Sequence, residues 1–340
     1  MSARTKPAKK SSFKLGVQDD NVLVKDKGPG REWGLDRAKE LGAKVVRVNI
    51  IYGDKYEPVD ALIASAAKRG IKVQLTITGK PAYGYSGKDA TPKISADKTK
   101  ASEFGAWAKE VAQHFKGRVG RYSVWNEPNH PLFLKSTSAR AYVKLYRAAQ
   151  GAIKSVDPKA QVMVGELAPS KNAENFVRSL AKHGIKTDGI AMHPYQAGAA
   201  SPRNPYPEGK KRFTISNMAH MQRVLRQERK GLSTKHGKAP SIYATEFGYR
   251  PDEPNRGRLL QSAINRAKKS GVRQLVLYQL AKTDKGAWDT SLYGPGGEDT
   301  EASIRLSRKR QPAKPKPQTG GAALPTITPV APPVIPGIVY

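Results

Sequence analysis

Residues 59–78 read VDALIASAAKRGIKVQLTIT, and this stretch decides the fold. Its first half repeats apolar side chains with helical spacing, and its second half, Lys72–Thr78, alternates in the manner of a strand. Gly70 lies between the two halves, where a helix that ends in a left-handed residue favours glycine. The stretch therefore predicts a helix, a glycine cap and a strand in succession.

The same order of helix, glycine and strand recurs along the chain. It is repeated at four further glycines, which are Gly42, Gly117, Gly184 and Gly271. The predicted strands cover Phe13–Val17, Lys44–Asn49, Lys72–Thr78, Arg121–Trp125, Gln161–Val164, Gly189–His193, Ser241–Glu246 and Gln274–Tyr278. The predicted helices cover Arg31–Leu41, Val59–Arg69, Asp97–Phe115, Ala139–Val156, Asn172–His183, Asn217–Lys230 and Arg258–Ser270, with a short, basic eighth helix at Thr300–Lys309.

Eight strands that alternate with helices fit a closed barrel, because a doubly wound sheet normally has fewer strands. We therefore predict an α/β protein whose residues 13–309 form a (β/α)8 TIM barrel. Residues 1–12 are predicted to be a basic N-terminal extension. Residues 310–340 are predicted to be a disordered, proline-rich C-terminal tail, since recurrent proline excludes a helix or an inner strand.

The composition excludes several classes of protein. The 340 residues include no cysteine, so a disulfide framework, a thiolate metal site and a cysteine nucleophile are all excluded. No apolar run approaches the roughly 18–20 residues that span a bilayer. Residues 1–15 contain no visible secretory signal, which leaves a removed signal open. The helical histidines share no metal-ligand spacing. We expect no membrane span, no metal and no cofactor.

The net charge of +32 indicates an affinity for polyanions. Part of this charge lies on helical faces such as Arg223, Arg226 and Arg229, which favour a solvated surface over a specific site. If these cations have a partner, we expect an anionic polysaccharide or the cell envelope. We expect no specific nucleic-acid binding, because the sequence contains no recognisable nucleic-acid module.

A TIM barrel places its reactive groups at the carboxyl ends of its strands. Glu127 follows the fourth predicted strand and Glu246 ends the seventh, so the two carboxylates are expected to face one substrate. Glycoside hydrolysis with retention needs such a pair about 5–5.5 Å apart, and inversion needs a wider gap.

The neighbours of the two glutamates distinguish their roles. Arg47 and Tyr195 are expected beside Glu246, where a cation and a phenol keep a nucleophile ionised. Glu127 has no nearby cation in sequence, which favours it as the acid that later serves as base. Asn126, immediately before it, offers an amide for a sugar hydroxyl.

Each carboxylate also has a plainer explanation. Glu127 lies in an Asn-Glu-Pro sequence, which is common at helix starts, where a glutamate complements the helix dipole. A glutamate at a strand end, such as Glu246, often forms a salt bridge at the barrel rim. Their joint occurrence on strands four and seven, together with Arg47 and His193, favours catalysis.

Three further rim residues are candidates with open roles. Tyr278 ends strand eight and is a candidate substrate contact. Trp288 follows that strand and either stacks on a sugar ring or covers the barrel core. Glu166 ends strand five without a visible partner, and we interpret it as a contact either to the substrate or to the catalytic side chains.

Three motifs carry a resemblance to known enzymes. Residues 124–129 (VWNEPN), 193–195 (HPY) and 244–248 (ATEFG) resemble the strand-four, strand-six and strand-seven signatures of clan A retaining glycoside hydrolases. Over about residues 15–306, the chain is similar above all to the cellulase-like families 5 and 39 and their bacterial relatives.

The resemblance implies a role for each matching residue. Glu127 is then the acid/base, Glu246 the nucleophile and Asn126 the ligand of the 2-hydroxyl. The implied supports of the nucleophile are Arg47, His193 and Tyr195. Two departures affect the identity of the sugar: strand three ends in Thr78-Gly79 without the histidine often found in family 5, and Tyr278 stands where many relatives place tryptophan.

We therefore predict a retaining O-glycosyl hydrolase that cleaves a β-linked polysaccharide or oligosaccharide by double displacement. We expect a monomer, secreted or at the cell envelope, whose glycan substrate is neutral or anionic. Two alternatives stay open, a barrel that binds carbohydrate or wall polymer without turnover and a protein that binds nucleic acid through charge. The sugar, the linkage and the choice between endo and exo action are left open.

Overall fold

The computed structural model describes residues 13–79, 100–131, 133–134, 137–196, 211–283 and 289–307. The strands are β1 (Lys14–Gln18), β2 (Val45–Ile51), β3 (Lys72–Thr78), β4 (Arg121–Val124), β5 (Gln161–Leu167), β6 (Ile185–Lys186), β7 (Gly189–Met192), β8 (Leu232–Ser233), β9 (Ile242–Phe247) and β10 (Gln274–Tyr278). The helices are α1 (Asp20–Leu23), α2 (Arg31–Glu40), α3 (Glu57–Ala67), α4 (Ala101–His114), α5 (Ala139–Val156), α6 (Ala173–Ala181), α7 (Met218–Gln227), α8 (Arg256–Lys269) and α9 (Glu301–Leu306).

Eight of the strands form a closed barrel in the order β1, β10, β9, β7, β5, β4, β3 and β2. Every neighbouring pair is parallel. The barrel closes where β1 pairs with β10, from Lys14 opposite Gln274 to Gln18 opposite Tyr278. The predicted (β/α)8 barrel is confirmed, with all eight predicted strands in place and their ends shifted by at most three residues.

The predicted glycine caps adopt the conformation for which glycine was inferred. Gly70 has a φ of +67°, and φ lies between +65° and +79° at the other four glycines. After Gly70, the Ile71 N–H returns to the Ala66 carbonyl at 3.0 Å and closes the end of α3. A residue with a Cβ at these positions meets a steric cost of roughly 1–2 kcal/mol. The caps therefore turn each helix into the next strand.

Four elements differ from the predicted pattern. Helix α1 has only four residues, too few for a periodic signal, and it begins because the Asp19 side chain accepts the N–H groups of Asn21 and Val22. Strands β6 and β8 form a separate two-stranded parallel sheet that was not predicted. Helix α9 ends at Leu306, short of the predicted Lys309.

A layer of polar side chains fills the barrel interior where branched apolar residues are usual. Gln274 Nε2 donates to Gln74 Oε1 at 3.0 Å, and Gln74 Nε2 donates to Ser123 Oγ at 3.3 Å. Arg121 Nη1 donates to Gln274 Oε1 at 2.7 Å. Because these buried groups are paired with one another, the layer is a fixed floor beneath the carboxyl ends of the strands.

Within the part of the chain that the structure describes, every helix is too short or too polar to cross a membrane. The predicted N-terminal extension at residues 1–12 and the predicted tail at residues 310–340 lie outside the described residues. The start of the third predicted helix, at Asp97, also lies outside them.

Candidate active site

The backbone turns sharply after β4 and brings Glu127 to the rim. Trp125 and Glu127 have left-handed φ values of +69° and +44°, a conformation that costs a non-glycine residue roughly 1–3 kcal/mol. The Trp125 N–H donates to the Ile77 carbonyl at 2.7 Å, and its indole Nε1 donates to the Phe133 carbonyl at 2.9 Å. The Glu127 N–H donates to the Glu166 carbonyl at 3.0 Å. These contacts fix the position of Glu127 in spite of the strain.

Glu246 lies at a β-bulge in β9. Ala244 pairs with Leu275 and Phe247 pairs with Leu277, so β9 has one residue more than β10 between these two pairs. A bulge redirects a side chain and is common beside active sites. The Glu246 side chain is only 13% exposed, and it reaches across to β2.

Arg47 of β2 is fully buried and connects four other side chains. Its Nη1 donates to Glu246 Oε1 at 2.5 Å, and its Nε donates to Thr76 Oγ1 at 2.8 Å. Its Nη2 donates to Asn126 Oδ1 at 3.2 Å and forms an ion pair with Glu166. Since the guanidinium donors have a rigid planar geometry, these contacts fix one face of the Glu246 carboxylate.

His193 follows β7 directly and lies between the two candidate glutamates. Its Nδ1 is 2.9 Å from Glu127 Oε1 and 3.5 Å from Glu246 Oε2. These two oxygens are therefore no farther apart than the sum of both distances, about 6.4 Å. This upper limit admits the about 5–5.5 Å of a retaining pair.

The charges of the site depend on its burial and its ion pairs. Burial opposes the positive form of His193, but the surrounding carboxylates, Glu246 foremost, raise its pKa to about 10. Burial raises the pKa of Glu246, and His193 and Arg47 counteract part of that rise. His193 and Arg47 thus supply two cations at neutral pH.

Two expectations about this environment are corrected. Tyr195 Oη donates to Glu246 Oε2 at 3.3 Å, beside the Arg47 contact, yet the pKa of Glu246 is raised because its burial outweighs these partners. The expectation that Glu127 has no cation nearby holds only along the sequence. In the fold, His193 lies within hydrogen-bond distance of Glu127, although 66 residues separate them.

Glu166 has the partners that the sequence did not reveal. It is fully buried, accepts a hydrogen bond from Thr76 Oγ1 at 2.9 Å and pairs with Arg47. Burial opposes its ionisation, but the positive charges of Arg47 and His193 outweigh burial and lower its pKa to about 2. Glu166 is therefore ionised at neutral pH, and its burial excludes the direct substrate contact that was one of its two interpretations.

The backbone explains how Glu166 comes to face Arg47. Gly165 pairs with Ala191 and Leu167 pairs with Met192, so Glu166 is the extra residue of a bulge in β5. Its φ is +105° and that of Gly165 is +88°. A glycine inside a strand pattern often marks a bulge, and Gly165 is the one signal by which the sequence pointed to this geometry.

The sequence profile of "Glycosyl hydrolases family 39" matches residues 48–265, which is more than half of the chain. The chain belongs to glycosyl hydrolase family 39. Of the families that its motifs resemble, the profile therefore supports family 39. Both glutamates, His193 and Glu166 lie inside the matched region.

Known proteins resemble this family 39 chain in sequence and in fold. It is 30% identical over 132 residues to a protein named "Beta-xylosidase" from Caldicellulosiruptor saccharolyticus, over 36% of this chain and 25% of that protein. A family 39 glycoside hydrolase from Bacteroides cellulosilyticus shares the fold with a TM-score of 0.66 at 17% identity, over 87% of this chain and 63% of that chain. A monomeric β-xylosidase from Caulobacter crescentus has a TM-score of 0.58 at 19% identity, over 86% and 67%. The sequence match thus spans about a quarter of the curated relative's length.

The remaining predicted site residues of the family 39 chain differ in their placement. Asn126 turns its carbonyl oxygen toward Arg47, which directs its NH2 donors elsewhere. Tyr278 is half-buried at the end of β10, in register with Gln18. Trp288 lies outside the described residues. Glu127, Glu246, His193 and Tyr195 lie at the carboxyl end of the barrel. Arg47 is the third residue of β2, level with Gln74, and reaches Glu246 with its long side chain.

A third acidic group near Arg47, Asp20, escaped the sequence reasoning. Asp20, just after β1, accepts hydrogen bonds from the Asn49 N–H at 2.7 Å, from Asn49 Nδ2 at 3.0 Å and from Gln18 Nε2 at 3.1 Å. Asp20 follows β1 by two residues, so the rule that reactive groups lie at the carboxyl ends of the strands indicates it as a candidate. Across the described ranges, no group of three or more histidines and acids is arranged to hold a metal ion.

Proposed function

We propose that the chain is a retaining glycoside hydrolase that cleaves a β-linked glycan by double displacement. One observation carries this proposal: His193 Nδ1 lies 2.9 Å from Glu127 Oε1 and 3.5 Å from Glu246 Oε2. Of these two carboxylates, Arg47 contacts only that of Glu246. The arrangement brings two acids to one point and makes their surroundings different, as an acid and a nucleophile require. Membership of family 39 supports it.

The first step forms a covalent bond to the enzyme. A Glu246 oxygen attacks the anomeric carbon, while Glu127 gives its proton to the glycosidic oxygen, and the bond between that oxygen and the anomeric carbon breaks. Arg47 holds Oε1 of the nucleophile, which leaves Oε2, near His193 and Tyr195, as the attacking atom. The leaving group departs as an alcohol.

The second step releases the sugar with its original configuration. Glu127, now a carboxylate, takes a proton from water, the water oxygen attacks the anomeric carbon, and the ester bond to Glu246 breaks. Glu127 is then protonated and Glu246 ionised, as at the start. The two carboxylates, the substrate and water account for every proton and electron pair in both steps.

The sugar at the point of cleavage is proposed to be neutral. Glu127, Glu166, Glu246 and Asp20 place four carboxyl groups around two cations, Arg47 and His193. A carboxylate on the bound sugar meets this excess of acid and is disfavoured. Because the curated relative and the Caulobacter structure are both named β-xylosidases, we propose a β-xyloside or a closely related β-glycoside as substrate.

Any anionic stretch of the glycan is proposed to bind at the other end of the barrel. The loops before the strands carry exposed cations at Lys44, Lys72, Lys116, Arg118, Lys159, Lys186, Lys235 and Lys238. An open groove of about 300 Å³ there is lined by Lys116, Lys159 and Asp157. Of the two aspartates in these loops, Asp157 caps its own turn and Asp188 pairs with Lys154. The net charge of this end is thus positive.

Reversing both groove lysines, Lys116→Glu with Lys159→Glu, is expected to weaken binding of an acidic polysaccharide such as polygalacturonate. The logarithmic salt dependence of the affinity should fall by about one for each lysine that no longer binds an anionic group of the polymer. The measurement is titration of the polymer over a series of salt concentrations. Lys109→Glu with Lys144→Glu, on the exposed faces of α4 and α5, makes the same change in net charge and is the control. Equal weakening by both pairs would contradict a localised site.

The proposed function is tested by hydrolysis of a panel of aryl β-glycosides, followed by NMR of the first-formed sugar. We expect turnover of at least one β-glycoside and a β-anomer as the first product, because double displacement retains configuration. An α-anomer would contradict the roles given to the two glutamates. Absence of hydrolysis across xylosides, glucosides, mannosides and galactosides, both monomeric and oligomeric, would contradict an enzyme.

A barrel that binds carbohydrate without turnover is the disfavoured alternative. A binding site gains little from two buried carboxylates on one histidine, one of them on a strained backbone, because strain and the burial of charge both cost folding free energy. The same panel separates the two functions, since a binding protein shows saturable affinity without product.

Two properties of the whole protein are proposed on supporting grounds. We propose a monomer, in line with the Caulobacter β-xylosidase described as monomeric. We propose a secreted or envelope location, because a glycan substrate and a charge of +32 suit an anionic cell surface. Light scattering of the purified chain and fractionation of cells that produce it are the measurements.

A further inference from the structure

We propose that Glu166 is a positioning residue for both catalytic carboxylates and that its negative charge, not only its shape, is required for the reaction. The inference rests on the proposed function. Glu166 is fully buried and meets no substrate. It acts through Arg47, His193 and its own backbone.

Glu166 reaches both catalytic glutamates from a single backbone position. Its carbonyl oxygen accepts the Glu127 N–H at 3.0 Å, which holds the strained turn that carries the acid. Its carboxylate pairs with Arg47, whose Nη1 lies 2.5 Å from the nucleophile Glu246. A shift of Glu166 therefore moves the acid and the nucleophile together.

Thr76 joins Glu166 and Arg47 into a closed ring of contacts. Its hydroxyl donates to Glu166 Oε1 at 2.9 Å and accepts from Arg47 Nε at 2.8 Å. Since the third side of the ring is the ion pair of Arg47 with Glu166, neither side chain rotates without breaking two contacts. The ring thus fixes the orientation of the Arg47 guanidinium toward Glu246, as a preorganised site requires.

The charges of the cluster explain why a carboxylate occupies this position. The groups that face Glu246 from the surrounding elements are Arg47, Glu127, Glu166, His193 and Tyr195, with Tyr278 beyond Tyr195. Arg47 and His193 are positive, and Glu166 and the ionised Glu246 balance them. With Glu127 protonated, as the first step needs, these two anions offset the two cations, and Asp20, which also faces Arg47, adds one further negative charge.

His193 depends on the same anion. Its Nε2 lies 3.6 Å from Glu166 Oε2, too long for a hydrogen bond but close enough for an ion pair, while its Nδ1 faces Glu127. The imidazolium is thus held between two carboxylates on opposite sides. Removal of the charge of Glu166 lowers the pKa of His193 from about 10, because one of the anions that raise it is removed.

The test is Glu166→Gln, which keeps the size of the side chain and removes its charge. The charge of Glu166 raises the pKa of Glu246, so its removal lowers that pKa. The acid limb of the kcat/KM profile should therefore move to lower pH, by about one unit. The maximum of kcat/KM should fall about ten-fold or more because Arg47 loses its alignment. NMR titration of His193 should show a lower pKa in the variant.

Glu174→Gln is the matched control, because Glu174 is also held by an arginine and a histidine, Arg178 and His220, but away from the site. It should leave the pH profile and the His193 titration unchanged. A folded Glu166→Gln variant with the parent's acid limb and His193 titration would overturn the proposal, even if its activity fell.

If Glu166→Gln does not fold, Glu166→Asp decides, since it keeps the charge and shortens the side chain. We expect it to lower kcat/KM while the acid limb and the His193 titration stay near those of the parent, and a shifted limb would count against the proposal. The His193 titration needs no turnover. A parent without glycosidase activity would thus contradict the proposed function, while the NMR titration of His193 would still test the role of the Glu166 charge.

Discussion

Replacing Glu246 by glutamine is expected to reduce kcat on aryl β-glycosides by on the order of 10⁴-fold or more. The amide matches the carboxylate in shape, but it is a poor nucleophile and forms no glycosyl ester. Arg47 can still donate to the amide oxygen, and Tyr195 Oη can accept from the amide NH2, so the pocket should keep its form. The measurement is steady-state hydrolysis of the best substrate in the panel, with thermal unfolding to show that the variant is folded.

The control for this substitution is Glu228→Gln. Glu228 accepts a hydrogen bond from Arg178 Nη1 at 2.6 Å and caps α7, outside the barrel rim. Its replacement should change kcat by less than about two-fold, because an ion pair near the surface contributes little. A Glu246→Gln variant that retains a tenth of the parent's kcat would show that another group attacks the sugar.

Glu127→Ala is expected to have an effect that depends on the leaving group. For an unactivated disaccharide, kcat/KM should fall by about 10²–10⁴-fold, the range for loss of a general acid. For a 2,4-dinitrophenyl glycoside the loss in kcat/KM should be much smaller, because that leaving group departs without a proton. Comparison of the two substrates on one enzyme preparation is the measurement, and it corrects for any partial loss of folded protein.

The second step gives the Glu127 variant a further signature. Without a base, the glycosyl enzyme reacts slowly with water, but azide attacks it without base assistance. Added azide should therefore restore kcat on the activated substrate and yield a β-glycosyl azide. Equal losses on both substrates, or an α-azide, would contradict the role of Glu127 as acid/base.

The fold could be predicted because its determinants are local. The stretch around Gly70 shows helical spacing, a left-handed cap and strand alternation within 20 residues, and each of these depends only on neighbours in sequence. The elements that the sequence did not predict are either too short to show a period, such as α1, or depend on a partner strand distant in sequence, such as β6 with β8.

The site could be predicted only as far as strand ends determine it. The position of reactive groups at the carboxyl ends of strands predicted that Glu127 and Glu246 share one end of the barrel, and the structure agrees with that placement. It did not predict the bulges at Glu246 and Glu166, which shift a side chain by one register and thereby choose its partners. The contact of Arg47 with Glu166 joins residues 119 positions apart, and no local pattern encodes it.

The burial of Glu246 is the other property that the sequence did not show. The sequence placed Arg47 and Tyr195 beside Glu246 and inferred from them that the carboxylate is easily ionised. The fold buries Glu246 deeply enough to raise its pKa in spite of both partners. The sequence identified the partners of Glu246, but only the structure shows how deeply its carboxylate is buried.

The central claim is that Glu246 forms a covalent bond to the sugar. A 2-deoxy-2-fluoro-β-glycoside with a good leaving group slows both steps and traps this intermediate, and mass spectrometry of the digested protein locates the label. We expect one sugar per chain, attached to Glu246, and no label in the Glu246→Gln variant. A label on Glu127 or Glu166, or an unlabelled protein that releases an inverted sugar, would contradict this claim.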